Sequence, residues 1–323
     1  MKPFHFATPA ASGVVSPKAI QETARFAESV GFGTLVLPDH LDVPYAPIPL
    51  LTAAALATER IRVCPYVLNV DFRHPAVAAQ ELATLDLLSE GRLTIGLGAG
   101  WNRPEYLTTG IPFEPVGVRV TRVREAVAVL KGCFGDKPFS YAGDNYTITE
   151  HDGQPKPFHP AGPPFLLGGG GRKMLASAAQ LADIVGLAPR VPPSRPGGVF
   201  FEPASITFAA TAEKIAWIRK AAGERFDELE LSTYASAIHP SALPVTVTDN
   251  ALAIARSCVD DICSRTGAEL TVDEYLDSPH VWIGTIDQLT EKCLSLRERL
   301  GISHFMLGPP RVCAELVERL AGQ

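Results

Sequence analysis

A histidine, two carboxylates and a run of four glycines are the parts of this 323-residue sequence whose types and spacing could do chemistry. Asp39 and His40 stand directly after the apolar run Thr34-Leu35-Val36-Leu37. A histidine can take or give a proton near neutral pH, and a neighbouring carboxylate can fix its tautomer or bind another donor. Pro38-Asp39 is also ordinary turn chemistry, so the fold has to decide between the two readings. Glu105 is the second carboxyl candidate, although a loop glutamate taken alone is a solvated surface group. Pro164-Phe165-Leu166-Leu167-Gly168-Gly169-Gly170-Gly171-Arg172-Lys173 is the most specific local feature. An apolar strand runs into glycines and then opens a helix. Such a turn exposes backbone N–H groups, and the helix N-terminus adds positive partial charge, so phosphate is the ligand it suits. Arg172 and Lys173 add full charges, and the alternative is a plain flexible turn.

Gly96-Leu97-Gly98-Ala99-Gly100-Trp101 closes another apolar run. It fails the dinucleotide fingerprint, because Trp101 stands where the last glycine of G-x-G-x-x-G belongs. The small residues still allow a flat ligand to approach the backbone closely. Trp101 reads as a wall of that pocket or as a core aromatic. Asn69-Val70-Asp71-Phe72-Arg73-His74-Pro75 follows a third run, with Arg73 or His74 able to face an anion. His5, His151, His159, His239, His280 and His304 lack ligand-like spacing and read as structural or surface residues. No metal site is expected. The six cysteines contain no C-x-x-C pair and read as free, buried thiols. Zinc-protease, serine-hydrolase and P-loop motifs are absent.

The elements that must position these residues alternate between short β-rich runs and longer helical ones. Phe4 to Thr8, Thr34 to Leu37, Ile61 to Asn69, Leu93 to Leu97, Pro164 to Leu167, Asp183 to Leu187, Leu229 to Ala235 and Ser303 to Leu307 read as strands. The third needs an irregularity at Pro65. Helices are expected from Pro17 with Ser16 as N-cap, near Ile48 to Thr58, over Pro75 to Ser89, and along the face Val116, Val120, Val123, Val127 and Leu130. Later helices run from Arg172 to Leu181, from a Thr211 cap to Ala222, after the Thr285 to Gln288 capping box, and from Arg311 to Leu320. Eight β-then-α units point to an α/β fold of the (β/α)8 barrel type, with a doubly wound sheet as the competitor. No linker divides the chain, so residues 1–323 read as a single domain. Interruptions at about 102–163, 188–210 and 236–283 would be enlarged loops at the C-terminal face, where barrel active sites lie.

A net charge of −6 argues against nucleic-acid binding and against an anionic membrane surface. No apolar run approaches the roughly 20 residues that span a bilayer, and the first residues are too polar for a signal peptide. The expected location is the cytoplasm.

Taken together, Leu37-Pro38-Asp39-His40, Ser89-Glu90-Gly91-Arg92-Leu93, the Gly96–Trp101 segment with Glu105, and the Gly168–Arg172 turn resemble the luciferase-like flavin monooxygenase superfamily, most closely its coenzyme F420-dependent oxidoreductase branch. The resemblance covers almost the whole chain. It implies a TIM-type barrel with a deazaflavin or flavin at the C-terminal mouth and its phosphate on Gly168, Gly169, Gly170, Gly171 and Arg172. It implies that Asp39 touches the cofactor and that Asn69-Val70 is a bulge, often a non-proline cis peptide, propping the ring. Gly98, Ala99, Gly100 and Trp101 would line the ring or ribityl chain. His40 and Glu105 would handle the proton that accompanies hydride transfer to or from a small organic substrate. A homodimer is implied. FMN with oxygen, giving a monooxygenase, is the alternative, and a non-catalytic flavin- or deazaflavin-binding protein is the third reading.

Overall fold

Caps and prolines start the helices where the sequence reading places most of them. In the computed structural model, which describes residues 1–192, 201–236 and 244–323, β1 (His5–Pro9) leads to α1 (Pro17–Ser29). Ser16 caps α1 by accepting the Ala19 N–H at 3.2 Å, Pro17 fills the first turn, and Gly31 leaves at φ +95°. β2 (Thr34–Leu37), α2 (Pro47–Ala55), β3 (Arg62–Pro65), β4 (Leu68–Asn69), α3 (Pro75–Leu88) and β5 (Ile95–Gly98) follow.

The expected third strand, Ile61 to Asn69, is therefore two strands. Pro65 has no N–H for the ladder, and the chain bulges at Tyr66–Val67, joined by a cis peptide bond, before Leu68 pairs with Leu97. The bulge sits at Tyr66–Val67 and not at Asn69–Val70. Asn69 is a strand residue opposite Gly98, and the Val70 side chain is buried in the core between barrel and helices.

The 102–163 interruption contains α4 (Arg103–Thr109), α5 (Val116–Phe134) and an antiparallel hairpin, β6 (Phe139–Ala142) with β7 (Thr147–His151). β8 (Phe165–Gly169), α6 (Arg172–Leu181) and β9 (Ile184–Leu187) come next, then α7 (Phe208–Ala222) and β10 (Glu230–Tyr234). Thr207, not Thr211, caps α7: its hydroxyl accepts the Ala210 N–H at 3.1 Å. Thr211 lies one turn inside, where its hydroxyl donates to the Thr207 carbonyl. After β10 come β11 (Val245–Val247), α8 (Ala251–Thr266), α9 (Val272–Asp277) and β12 (Trp282–Gly284); α8, α9 and Ile283 pack round a separate apolar cluster that includes Ile262 and Tyr275, while Val245 and Trp282 join the main core. α10 (Ile286–Leu300), β13 (Ile302–Met306) and α11 (Pro310–Leu320) close the chain, with the Thr285/Gln288 capping box formed as expected.

Nine parallel strands form one sheet in the order β3-β2-β1-β13-β10-β9-β8-β5-β4. Since β3 and β4 are halves of one stave, this is an eight-stave barrel, and a parallel bridge between Val63 and Leu93 joins its two edges. The fold is the α/β barrel that the alternation predicts. Its main core lies between staves and helices and includes Leu35, Val63, Ile95, Leu167, Val185 and Phe305. A smaller cluster of Ala7, Val36, Cys64 and Leu166 fills the interior. The cysteines are free thiols, buried except for half-buried Cys263. His239 lies outside the described residues.

Candidate active site

The chain turns out of β2 at Pro38, and the two polar residues that follow part company. Asp39 is buried: its Oδ2 accepts the Asn69 N–H at 3.0 Å and a bond from Arg73 Nη1 at 2.7 Å. Asp39 thus ties β2 to β4, and it neutralises Arg73, which also lies 3.7 Å from Glu81. Arg73 is committed to these carboxylates and is a poor reserve of charge for an anion.

His40 turns the other way. Its Nδ1 lies 2.7 Å from Glu105 Oε1, and Glu105 Oε2 accepts the Leu41 N–H at 2.8 Å. The Glu105 side chain is only 3% exposed, while that of His40 is 25% exposed. A buried carboxylate therefore fixes the imidazole and leaves its other nitrogen as the outward proton donor or acceptor. The Trp101 ring stands edge-on to His40 with centroids 5.4 Å apart, and Trp101 is 39% exposed. Trp101 is thus a wall of the mouth and not a core aromatic. Asp42 is a further neighbour, its donor atom within 4.8 Å of those of His40 and Glu105. Both Glu105 oxygens are already engaged by N–H donors.

Gly98, Ala99 and Gly100 cross the rim between these groups and the bulge. A Cβ on Gly98 would sit 2.5 Å from Val67 Cγ2, and one on Gly96 would sit 2.0 Å from the Pro65 carbonyl. Glycine is needed here so that the Tyr66–Val67 ledge can fold against β5. Gly100 has φ +68°, and a Cβ there would lie 1.9 Å from the Tyr106 hydroxyl.

Sequence reasoning missed the clamp behind this loop. Arg119 on α5 donates to the carbonyls of Ala99 (2.8 Å), Gly100 and Glu114, and its guanidinium lies 4.1 Å from the Phe113 ring centroid. Burial holds its pKa below the usual arginine value. The signal was present: Arg119 lies on the same helical face as Val116, Val120 and Val123, where a charge is out of place unless paired. Below it, the Tyr106 hydroxyl meets Asn69 (2.7 Å from Nδ2) and Asp71 (2.9 Å), and Arg122 pairs with Asp71. Burial, with the Asp71 charge, drives the Tyr106 pKa up.

The glycine turn lies where β8 meets α6, at the C-terminal end of its stave. Gly171 is the N-cap residue, and no side chain caps the helix. The first-turn N–H groups are therefore available to an anion. Gly168 and Gly170 allow close packing: a Cβ would lie 2.6 Å from the Gly186 carbonyl and 2.5 Å from that of Pro189, respectively. Among the described residues, a Cβ on Gly171 would meet nothing within 4 Å, so no described side chain closes that side of the turn. Arg172 and Lys173 are exposed. Lys173 Nζ lies 3.9 Å from where a Cβ on Gly117 would stand, over the first turn of α5. An ammonium beside two helix N-termini is an arrangement that an anion relieves. Lys214, another residue the sequence reading missed, pins the adjoining loop by donating to the Ala188 and Ser205 carbonyls, each at 2.8 Å. Burial, with Arg190 nearby, lowers its pKa to about 8.

An eight-stave barrel with a bulged third stave, a His–Glu pair after β2 and a glycine turn after β8 can be set against known proteins. The profile of the luciferase-like monooxygenase family matches residues 1–242, and the chain belongs to that family. It is 29% identical over 230 residues to 5,10-methylenetetrahydromethanopterin reductase of Methanopyrus kandleri, a match covering 68% of this chain and 61% of that protein. It is 29% identical over 189 residues to F420-dependent glucose-6-phosphate dehydrogenase of Microbacterium testaceum, covering 56% and 55% respectively. The chain thus spans less than two thirds of the length of these relatives. Among solved structures, that of coenzyme F420-dependent tetrahydromethanopterin reductase from Methanopyrus kandleri superposes with a TM-score of 0.75 at 20% identity, over 99% of this chain and 98% of that one. Among the described residues no helix is long and apolar enough to cross a membrane.

Proposed function

We propose that this protein is an F420-dependent oxidoreductase that moves a hydride between the deazaflavin and a small organic substrate. The observation that carries the reading is the buried Glu105 holding His40 at 2.7 Å, beside Trp101 and next to a rim of side-chain-free backbone. The residues present fit the coenzyme. Gly98, Ala99, Gly100 and Trp101 offer a close backbone wall, the Tyr66–Val67 ledge stands opposite Gly98, and the side of Gly171 that no described side chain closes suits a phosphate. In this reading Gly168, Gly169, Gly170, Gly171, Arg172 and Lys173 bind the phosphate, and Asp39 holds Asn69 and Arg73 in place beneath the ring. The relatives' names, a reductase and an F420-dependent dehydrogenase, support the same class.

The coenzyme supplies the two-electron carrier. The chain supplies orientation and proton handling. His40, its Nδ1 held by Glu105, gives or takes the substrate proton through its exposed nitrogen. Arg119 holds the Ala99 and Gly100 carbonyls, so the wall keeps its shape as charge shifts. Trp101 excludes water from one side of the imidazole. A homodimer belongs to this reading, with Val77, Leu87 and Leu88 presenting exposed apolar surface on α3.

FMN is the second reading. One phosphate satisfies the turn as well as the longer F420 tail does, and Arg73 is not free to bind that tail. The discriminating experiment mixes purified protein with F420 and, separately, with FMN, and follows fluorescence quenching. Tight binding of F420 and not of FMN supports the proposal. A yellow protein that consumes oxygen with reduced FMN replaces it with the monooxygenase reading. Binding of neither removes both.

A further inference from the structure

A buried lysine normally faces a carboxylate, and one lysine of this fold faces only carbonyls. Lys214 stands on α7 and is 1% exposed. Its Nζ donates to the backbone carbonyls of Ala188 and Ser205, each at 2.8 Å. Among the described residues no carboxylate forms an ion pair with it, and Glu202 and Glu213 act on it only at longer range. Carbonyl dipoles satisfy the N–H donors of an ammonium but leave its charge without a counter-charge, which is costly in a buried place. The two acceptors belong to one neck of chain. The Glu202 N–H donates to the Arg190 carbonyl at 2.8 Å, and the Arg190 N–H donates to Ser205 Oγ at 2.8 Å. That neck rests directly on the glycine turn. The Ala188 N–H donates to the Gly169 carbonyl at 3.1 Å. A Cβ on Gly170 would lie 2.5 Å from the Pro189 carbonyl oxygen and 2.9 Å from Arg190 Cα. Ala188 is thus shared: its carbonyl holds the lysine, and its N–H holds the turn.

We propose that Lys214 is a positioning residue for the glycine turn, fixing Ala188, Pro189 and Arg190 against Gly169 and Gly170 and lending its uncompensated charge to an anion seated there. This assignment rests on the reading above in one respect, that the turn takes an anion. A bound anion and the buried ammonium stabilise each other, so binding draws a proton onto Lys214. Burial, with Arg190, lowers the Lys214 pKa to about 8. Anion affinity is therefore full while the lysine is charged and falls as pH rises through about 8. A neutral amine still donates to both carbonyls, so the clamp outlasts the charge. The other charged or titratable groups facing Lys214 are Arg190 and Glu202 from the neck, Glu213 from α7 itself, and His280 from the segment before β12. Burial and the lysine charge keep His280 neutral, with a pKa of about 3. The Arg190 guanidinium lies 5.5 Å from the Trp217 ring centroid and 3.8 Å from Glu202, which already balances it.

The probe is sulfate, which stands in for a phosphate group and keeps its charge across the pH range used. Titrated by calorimetry, wild-type protein should lose about fivefold or more in sulfate affinity between about pH 7 and about pH 9.5. Lys214→Met and Lys214→Gln should bind sulfate more weakly at the lower pH and should lack this fall. No fall in the wild type, or the same fall in the variants, overturns the proposal. In cofactor-free protein the Ala188 amide should exchange its hydrogen about tenfold faster in Lys214→Met than in the wild type, with Lys214→Gln, which keeps an N–H donor, between them. Equal protection in all three also overturns it. The wild-type pH profile needs no variant, so a substitution that fails to fold leaves the test standing. Sulfate that binds with the expected pH profile but is displaced by neither F420 nor FMN sinks the functional reading alone. A wild type that binds no sulfate sinks the present assignment, and direct titration with F420 or FMN then decides the functional reading separately.

Discussion

His40 and Glu105 are 65 residues apart in the chain and 2.7 Å apart in the fold, with the Leu41 N–H holding the second carboxylate oxygen. Because Glu105 is buried and His40 is not, the carboxylate orients and the imidazole reacts. Replacing His40 by alanine, or Glu105 by glutamine, should lower turnover by about a hundredfold or more, the usual scale for a general acid–base. Cofactor affinity, read by fluorescence quenching, should stay within about threefold, since neither residue belongs to the phosphate turn. Equal losses in affinity and turnover would reassign the pair to binding.

The Arg119 clamp predicts a stability effect with a specific chemistry. Arg119→Ala leaves the Ala99, Gly100 and Glu114 carbonyls without their donor and should cost about 3 kcal/mol in denaturant unfolding. Arg119→Lys should recover less than half of that, because a single ammonium lacks the planar fork that reaches carbonyls on two sides.

Glycine substitutions should separate folding from binding. Gly100→Ala meets both a left-handed backbone and the Tyr106 hydroxyl and should destabilise by about 3 kcal/mol. Gly171→Ala meets neither and should change stability by no more than about 0.5 kcal/mol. Charge reversal at the same turn, Arg172→Glu, should lower affinity for F420 or FMN at least tenfold, and raising the salt should narrow the difference from wild type.

Stability should fall on acidification through two distinct windows. Burial lowers the pKa of His304 to about 4 and that of His280 to about 3, from an ordinary value of 6.5. Between those values the unfolded chain binds more protons, so stability is lost as pH drops below about 6.5. The His5–Glu230 pair has the opposite sign at its upper edge. Its hydrogen bond to Glu230 raises the His5 pKa, so that contribution is full below 6.5 and fades as pH rises through the folded value. Burial opposes the Glu230 charge, but His5 and its other cationic neighbours keep that carboxyl below its ordinary 4.5, so its contribution is lost only below that. Urea unfolding across pH should show the steeper acid-side slope, and His280→Gln should flatten it.

What could be read from the residues was local. The Ser16 cap, the Thr285/Gln288 box and the strand–glycine–helix turn are each written within a few neighbouring positions, and each formed as expected. Features that depend on a facing element were less legible. The bulge stands at Tyr66–Val67 because Gly96 and Gly98 on the next strand leave room for it, which no inspection of the third run alone reveals. Thr207 took the α7 cap from Thr211 because a 3₁₀ turn at Pro203–Ile206 delivers the chain to it. His304, whose spacing reads as that of a structural or surface residue, meets Ser232 only because β10 and β13 are neighbours in the barrel.

The two residues between Pro65 and Leu68 set a fixed span. Side chains on a strand alternate faces, so one residue more or fewer there would exchange Leu68 with Asn69, sending an amide into the greasy layer and a leucine toward the Tyr106 hydroxyl and Asp71. Ledge chemistry can thus drift by swapping the side chains at 66 and 67, whereas its length is locked by the parity of the strand that follows.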